Sequence, residues 1–200
     1  PLFNTSGKFS GGYTFDGVDD YVNVGDDNSL DLTMANTIQA WVNIPSDINL
    51  NTEYGLFIAK RGASGANYQA YITGTEMRYY NGATVITSTV NVPKNSWQHV
   101  AFVHNSSDIL FYLNGVMEES QNLVLGSAVN GNLSIGWDAG SAYSKGSVDE
   151  VAIWNRTLNA DEIYTLYASK VIHYNTSKIS DDYNVTVDVG DGDNIYSWNV

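Results

Sequence analysis

The chain of 200 residues contains no cysteine, which excludes thiol nucleophiles, thiolate metal sites and disulfides together and leaves the redox compartment unread. It is also poor in cations, with nine Lys and Arg against 22 Asp and Glu and a formal net charge of −13. Nucleic acid is therefore a poor partner, because its binders neutralise phosphates with Lys and Arg. No apolar run is long enough to cross a bilayer as a helix, so no membrane insertion within this chain is expected. Residues 1–10 carry neither a basic region nor an apolar stretch, and no signal peptide is expected there.

What the chain does contain is apolar and aromatic side chains, 43% and 12% of its residues, enough to bury a full core in one domain. These residues fall in short stretches of Val, Ile, Tyr, Phe and Trp separated by Gly, Asn, Asp and Ser, the texture of antiparallel sheets. Along 37–43, Ile38, Ala40 and Val42 share one face with period two and Trp41 takes the other. Along 98–104, Val100 and Phe102 oppose His99, Ala101 and Val103, and both faces are apolar enough to be covered, which predicts an inner strand. Asn114-Gly115 joins 109–113 to 116–119 as a two-residue hairpin turn. Asn81-Gly82 and Asn130-Gly131 carry the same signal, and an all-β sandwich is the economical reading.

One segment departs from this texture. Asn159 stands three residues before Glu162, followed by Ile163, Leu166 and Tyr167 at helical spacing, which predicts a capped helix over 160–169 packed on the sandwich by that stripe. Asp161 and Glu162 near its start suit the helix dipole. After Lys170, two strand-like pieces flank an acidic turn at 190–193. This tail is too short to bury a core, so beyond a sandwich over 1–170 the residues 171–200 either add to the sandwich edge or, the favoured reading, form the truncated start of another β-domain.

Three pieces, taken in order, carry a family resemblance. Tyr13-Thr-Phe-Asp-Gly-Val-Asp-Asp-Tyr-Val22 is followed by Ile38-Gln-Ala-Trp-Val42; Trp97-Gln-His-Val-Ala-Phe-Val103 leads to Leu113-Asn-Gly-Val116; Gly146-Ser-Val-Asp-Glu-Val-Ala-Ile-Trp-Asn-Arg-Thr-Leu158 precedes the helix. Together they resemble the laminin-G-like branch of the concanavalin A-like lectin/glucanase superfamily over roughly residues 9–169. The resemblance implies a two-sheet antiparallel jelly-roll sandwich with one short C-terminal helix. It further implies an extracellular or cell-surface, non-catalytic binding or adhesion module whose partner is a glycan or an extracellular protein, set among neighbouring domains of a larger surface protein. A structural spacer of a surface layer, fibre or filament is the alternative from another class.

The same fold includes glycosidases, whose retaining members need two carboxylates about 5 Å apart across the scissile bond. The Glu-X-Asp-X-(X)-Glu run of laminarinase-like members does not occur here. Adjacent acids such as Asp19-Asp20, Asp149-Glu150 and Asp181-Asp182 should point to opposite faces of a strand. His99 and His104, on opposite faces, and His173 in the tail read as structural or solvated. No enzymatic activity is expected.

The resemblance also implies a structural Ca²⁺ joining the N-terminal strand to the last strand, and by motif its ligands are Asp16 and Asp149. The alternative is that Asp16 shapes a turn with Gly17 while Asp149 accepts backbone N–H groups. The acidic run 188–193 lacks the Glu that closes an EF-hand and reads as a solvated turn. Asp138, with Trp137 and Tyr143 beside it, lies on an expected rim where related domains bind ligand, although a Gly/Ser-rich stretch is often only a connector. Trp41, Trp97 and Trp154 read as core, whereas Tyr79 and Tyr80, flanking a turn, read as surface aromatics suited to stack on sugars. Sequons at Asn4, Asn105, Asn132, Asn155, Asn175 and Asn184 mark candidate glycosylation sites.

Overall fold

The computed structural model describes residues 1–169 except 10, 50–52, 63–64, 125–129, 139 and 141. The tail at 171–200, with its acidic turn, His173, Asp181-Asp182, Asn175 and Asn184, lies outside the described residues. Strands β1 (Leu2–Asn4), β2 (Gly12–Asp16), β3 (Val22–Gly25), β4 (Asn36–Asn43) and β5 (Glu53–Tyr54) come first in the chain. Next are β6 (Leu56–Gly62), β7 (Gly65–Thr73), β8 (Glu76–Tyr80), β9 (Val85–Asn91) and β10 (Gln98–His104). The last are β11 (Asp108–Leu113), β12 (Val116–Asn122), β13 (Asn132–Ile135) and β14 (Tyr143–Trp154), before helix α1 (Ala160–Ala168).

Two sheets face each other. One runs β1-β2-β14-β4-β10-β11-β12, with short β5 beside β14, and the other runs β3-β13-β6-β7-β8-β9. The named strand pairs are antiparallel apart from β5 and β14. The expected jelly-roll sandwich is the observed one.

Strand alternation sets the core. Ile38, Ala40 and Val42 of β4 and Val100 and Phe102 of β10 meet Leu56, Ile58, Tyr68, Ala70, Ile72, Met77 and Tyr79 of the second sheet, all buried. The outer face of β4 and β10 carries Trp41, His99, Ala101 and Val103, and it is covered in turn. Ala101, Val103 and Tyr112 pack with Leu158 and Ile163, while Leu166 and Trp154 lie against that cluster. Tyr167 stacks on Trp41 at 5.7 Å. Helix α1 begins with the predicted capping box, Asn159 accepting from Glu162 N and Glu162 accepting from Asn159 N. It thus covers the half of the first sheet that would otherwise expose an apolar face.

Turns account for the differences from the sequence reading. Asn114 (φ 51°) and Gly115 (φ 80°) make the expected two-residue turn between β11 and β12. Between β8 and β9 the loop is instead four residues, because Asn81 Oδ1 accepts from both Ala83 N and Thr84 N and Asn81 N donates to Thr84 O. Asn130-Gly131 does not form a hairpin: the strand it leads into, β13, pairs with β3 and β6 in the sheet opposite β12. Tyr79, read as a surface aromatic, is fully buried because it alternates inward on β8 and its hydroxyl bonds Asn36. Trp97 and Trp154 are half-buried, while Trp41 belongs to the interior.

Candidate functional site

At the β3-β13-β6 end of the six-stranded sheet, alternation turns a particular set of side chains outward. Leu133 is buried in the core and Ile135 packs against it, so Asn132 and Ser134 face away. Ile58 and Lys60 point inward on β6, which leaves Arg61 outward, directly opposite Asn132 in register. Val22 packs against the core, so its neighbours Tyr21 and Asn23 take the outer side. With Gly62, Asn130, Gly131 and Trp137 these residues line an open cleft of about 480 Å³, within the size range of small-ligand sites.

The cleft wall is built by close backbone approach. A Cβ on Gly62 would sit 1.9 Å from Asn130 O, and one on Gly131 would sit 2.2 Å from Gly62 N, so only glycine lets these two segments lie together. Beneath them Lys60, with a fully buried side chain, donates to Gly131 O and pairs with Asp26 and, at 3.2 Å, with Asp31. The hydrogen bond that Lys60 donates to Asp26 holds the Asp26 carboxyl below the usual carboxylate range. A buried ammonium in a chain this acidic is thereby neutralised, and it anchors the cleft backbone from inside.

The aromatic side of the cleft is a stack. Tyr21, 40% exposed, lies tilted against Trp137 at 4.9 Å. Tyr143 stacks behind Trp137 at 6.2 Å and 13°. Trp137 Nε1 donates to Gly140 O at 3.1 Å, and Ser134 Oγ donates to Trp137 O at 2.9 Å. Both bonds fix the indole ring and its backbone.

The structure brings some predicted site residues together and separates others. Trp137 lines the cleft, Tyr143 supports it from behind, and Asp138 is not among the lining residues. Asp138 Oδ1 accepts from Gly140 N at 2.7 Å and Ala142 N at 3.2 Å, which makes it a turn-former. Asp16 and Asp149 do not share an ion site. In the register of β2 with β14, Asp16 faces Lys145 and Tyr13 faces Val148, so Asp149 is offset from Asp16 by about four residues, or about 13 Å along the strands. Asp149 is buried and its two carboxylate oxygens accept from Phe9 N and Glu150 N. Asp16 Oδ1 accepts from Val18 N across the turn at Gly17 (φ 84°). The carboxylates that do gather around Asp16 are Asp19 and Asp20, with ligand atoms within 4.8 Å of one another.

Asp149 and Glu150 also depart from strict alternation. A bulge in β14, with Glu150 at φ 51°, sets both beside one recess of about 250 Å³ that includes Gly12, Phe15 and Val151. Among the sequons, Asn105 and Asn155 are exposed, Asn4 is half-buried with its amide near Thr14, and Asn132 lies in the cleft itself.

Both described histidines are structural. His99 Nε2 donates to Gln39 Oε1 at 2.8 Å beneath Trp41 and Tyr167, and burial drives its pKa from 6.5 down to about 4. His104 Nε2 donates to Leu123 O at 2.6 Å, and burial lowers its pKa as well.

A family model of the laminin G type, described as the concanavalin A-like lectin/glucanases superfamily, matches residues 16–164. The chain belongs to this superfamily. No curated protein matches it in sequence. Among solved structures, it is similar to the binding domain of botulinum neurotoxin serotype G, with 17% identity and a TM-score of 0.64 over 83% of this chain and 44% of that one. It is also similar to domain 4 of AbnA, a GH43 extracellular arabinanase from Geobacillus stearothermophilus in complex with arabinotriose, with 19% identity and a TM-score of 0.59 over 83% and 80% of the two chains. A third similarity is to Trypanosoma rangeli sialidase in complex with the inhibitor DANA, with 20% identity and a TM-score of 0.62 over 80% and 28%. The chain thus spans less than half of the toxin domain and of the sialidase. At these identities the likeness establishes the fold.

Tyr21, Asn23, Arg61, Asn130 and Asn132 were not singled out from the sequence as ligand residues. They come from three separate strands or the residues leading into them and become neighbours only through the order β3-β13-β6. One local signal was present: Lys60-Arg61 is the one pair of adjacent cations in a strongly acidic chain.

Proposed function

We propose that this chain is a non-catalytic glycan-binding module of an extracellular or cell-surface protein, with its ligand in the cleft between Tyr21 and Arg61. The observation that carries the reading is the half-exposed Tyr21–Trp137 pair lining one cleft with Asn23, Asn130 and Asn132. Aromatic faces take the apolar face of a pyranose, and amides donate to and accept from its hydroxyls. Among the described residues, none that line the cleft is Asp or Glu, so they offer no carboxylate pair for glycoside hydrolysis. The arabinotriose complex of the similar arabinanase domain is in keeping with this reading. A glycan array followed by titration of intrinsic fluorescence tests it, since a ring seated on Trp137 changes the emission of that indole. Binding of saccharides with a Trp137-dependent signal supports the reading; an array without a single bound saccharide refutes it.

The calcium expectation moves with the geometry. Asp16, Asp19 and Asp20 bring three carboxylates close enough for one hard cation, with Asp20 also accepting from Asp16 N and pairing with the N-terminal ammonium, whereas Asp149 is buried with both oxygens on backbone N–H groups. We propose that a Ca²⁺ here is structural and tightens the turn after β2. Thermal unfolding in chelator and then in millimolar Ca²⁺ tests this. A rise in midpoint lost in Asp19→Asn and kept in Asp149→Asn is expected, and no rise in the parent chain refutes it.

A further inference from the structure

The cleft has an electrostatic character opposite to that of the molecule around it. Of the chain's three arginines, Arg78 pairs with Glu76 at 3.0 Å and Arg156 with Glu162 at 2.6 Å, whereas Arg61 has no acidic partner among the described residues. Among the described residues, the cleft lining around it contains no carboxylate, although acids outnumber bases 22 to 9 in the sequence. The adjacent cation, Lys60, is turned inward and neutralised by Asp26 and Asp31, so those acids are not available to Arg61. Arg61 is half-buried, and its strand is fixed on one side by Asn132 and on the other by Ala66. A guanidinium held on a sheet presents a planar fork of donors, the geometry that pairs with a planar oxyanion in two parallel hydrogen bonds.

From these observations we infer that the saccharide bound in this cleft is acidic, carrying a carboxylate that Arg61 pairs with while its ring packs on Tyr21 and Trp137. The inference rests on the glycan-binding reading of the cleft and narrows it to one substrate class. Asn132, directly opposite Arg61, and Asn130 are placed to bond the hydroxyls flanking the charged group. The surrounding negative charge works against any anion that lacks a paired contact, so the same arrangement discriminates against acidic glycans whose charge falls elsewhere on the ring.

The test compares matched ligands on the intact chain by calorimetric titration: a galacturonic acid trimer, a galactose trimer, and a galactose trimer bearing a 6-sulfate. The expected result is about tenfold tighter binding of the uronic acid than of the neutral trimer, equivalent to about 1.4 kcal/mol. Arg61→Gln should abolish that preference, and Arg61→Lys, which keeps the charge without the fork, should restore only part of it. Equal or tighter binding of the neutral trimer overturns the inference and leaves glycan binding standing. A preference that survives in Arg61→Gln overturns the role of Arg61. The sulfated trimer binding more tightly than the uronic acid overturns the carboxylate assignment. Failure of all three, together with an empty glycan array, overturns both the inference and the reading beneath it.

Discussion

Acidification should destabilise the sandwich in a window set by His99. The residue is buried beneath Trp41 and Tyr167, its Nε2 donates to Gln39 Oε1, and its buried Nδ1 has no hydrogen-bond partner to accept for. Burial holds the ring neutral, with a folded-state pKa of about 4 against 6.5 in the unfolded chain. Below pH 6.5 the unfolded state takes up a proton that the folded state refuses, so stability is complete above that pH and is lost as pH falls to about 4. Over the window the slope approaches about 1.4 kcal/mol per pH unit and the total loss is about 3 kcal/mol. For a domain of this size that lowers the unfolding midpoint by about 10 °C. Urea unfolding followed by fluorescence at half-unit steps from pH 7.5 to 4 measures it in the parent chain and in His99→Gln. The substitution costs stability at every pH because it disturbs the Gln39 contact, but it should flatten the slope by up to about one proton. His104 and the unpaired parts of the chain contribute equally to both proteins and cancel in the difference. Identical slopes for the two proteins would refute the assignment of a buried, neutral His99.

Two further predictions concern the supports of the fold. Lys60→Met should cost about 3 kcal/mol in chemical denaturation, because it strands Asp31 and Gly131 O beside an apolar side chain, and it should also weaken ligand binding by loosening the cleft wall. Asn159→Ala removes the capping box and should cost about 1 kcal/mol, with faster amide exchange in α1 and unchanged exchange in β10, an inner strand hydrogen-bonded to β4 and β11.

The legible part of the molecule was the part written in local patterns. Period-two alternation gave the faces of β4 and β10, Asn114-Gly115 gave a turn, and Asn159 with Glu162 gave the start of α1, because each depends on residues within one turn or one strand. Tyr79 was misread because proximity to a turn says nothing about which sheet face a residue takes; its inward position depends on partner strands remote in sequence. The pairing of Asp16 with Asp149 failed for a related reason. Motif order identified the two adjoining strands correctly, but register decides whether two acids meet, and the bulge at Glu150 has no sequence signature in a run as ordinary as Ser-Val-Asp-Glu-Val. The cleft was illegible because it is assembled across β3, β13 and β6, with backbone contact at Gly62 and Gly131 that only the packed sheet reveals.

The most direct measurement of the central claim is the affinity of a saccharide found on the array for the parent chain, Tyr21→Ala and Trp137→Ala, with thermal unfolding as the control for folding. Tyr21 is exposed and packs on Trp137 at the rim, so Tyr21→Ala should keep its unfolding midpoint within a few degrees of the parent and bind about tenfold more weakly. Trp137→Ala should abolish detectable binding. Unchanged affinity in a folded Tyr21→Ala and a folded Trp137→Ala would place the ligand elsewhere and contradict the account of the cleft as a glycan site.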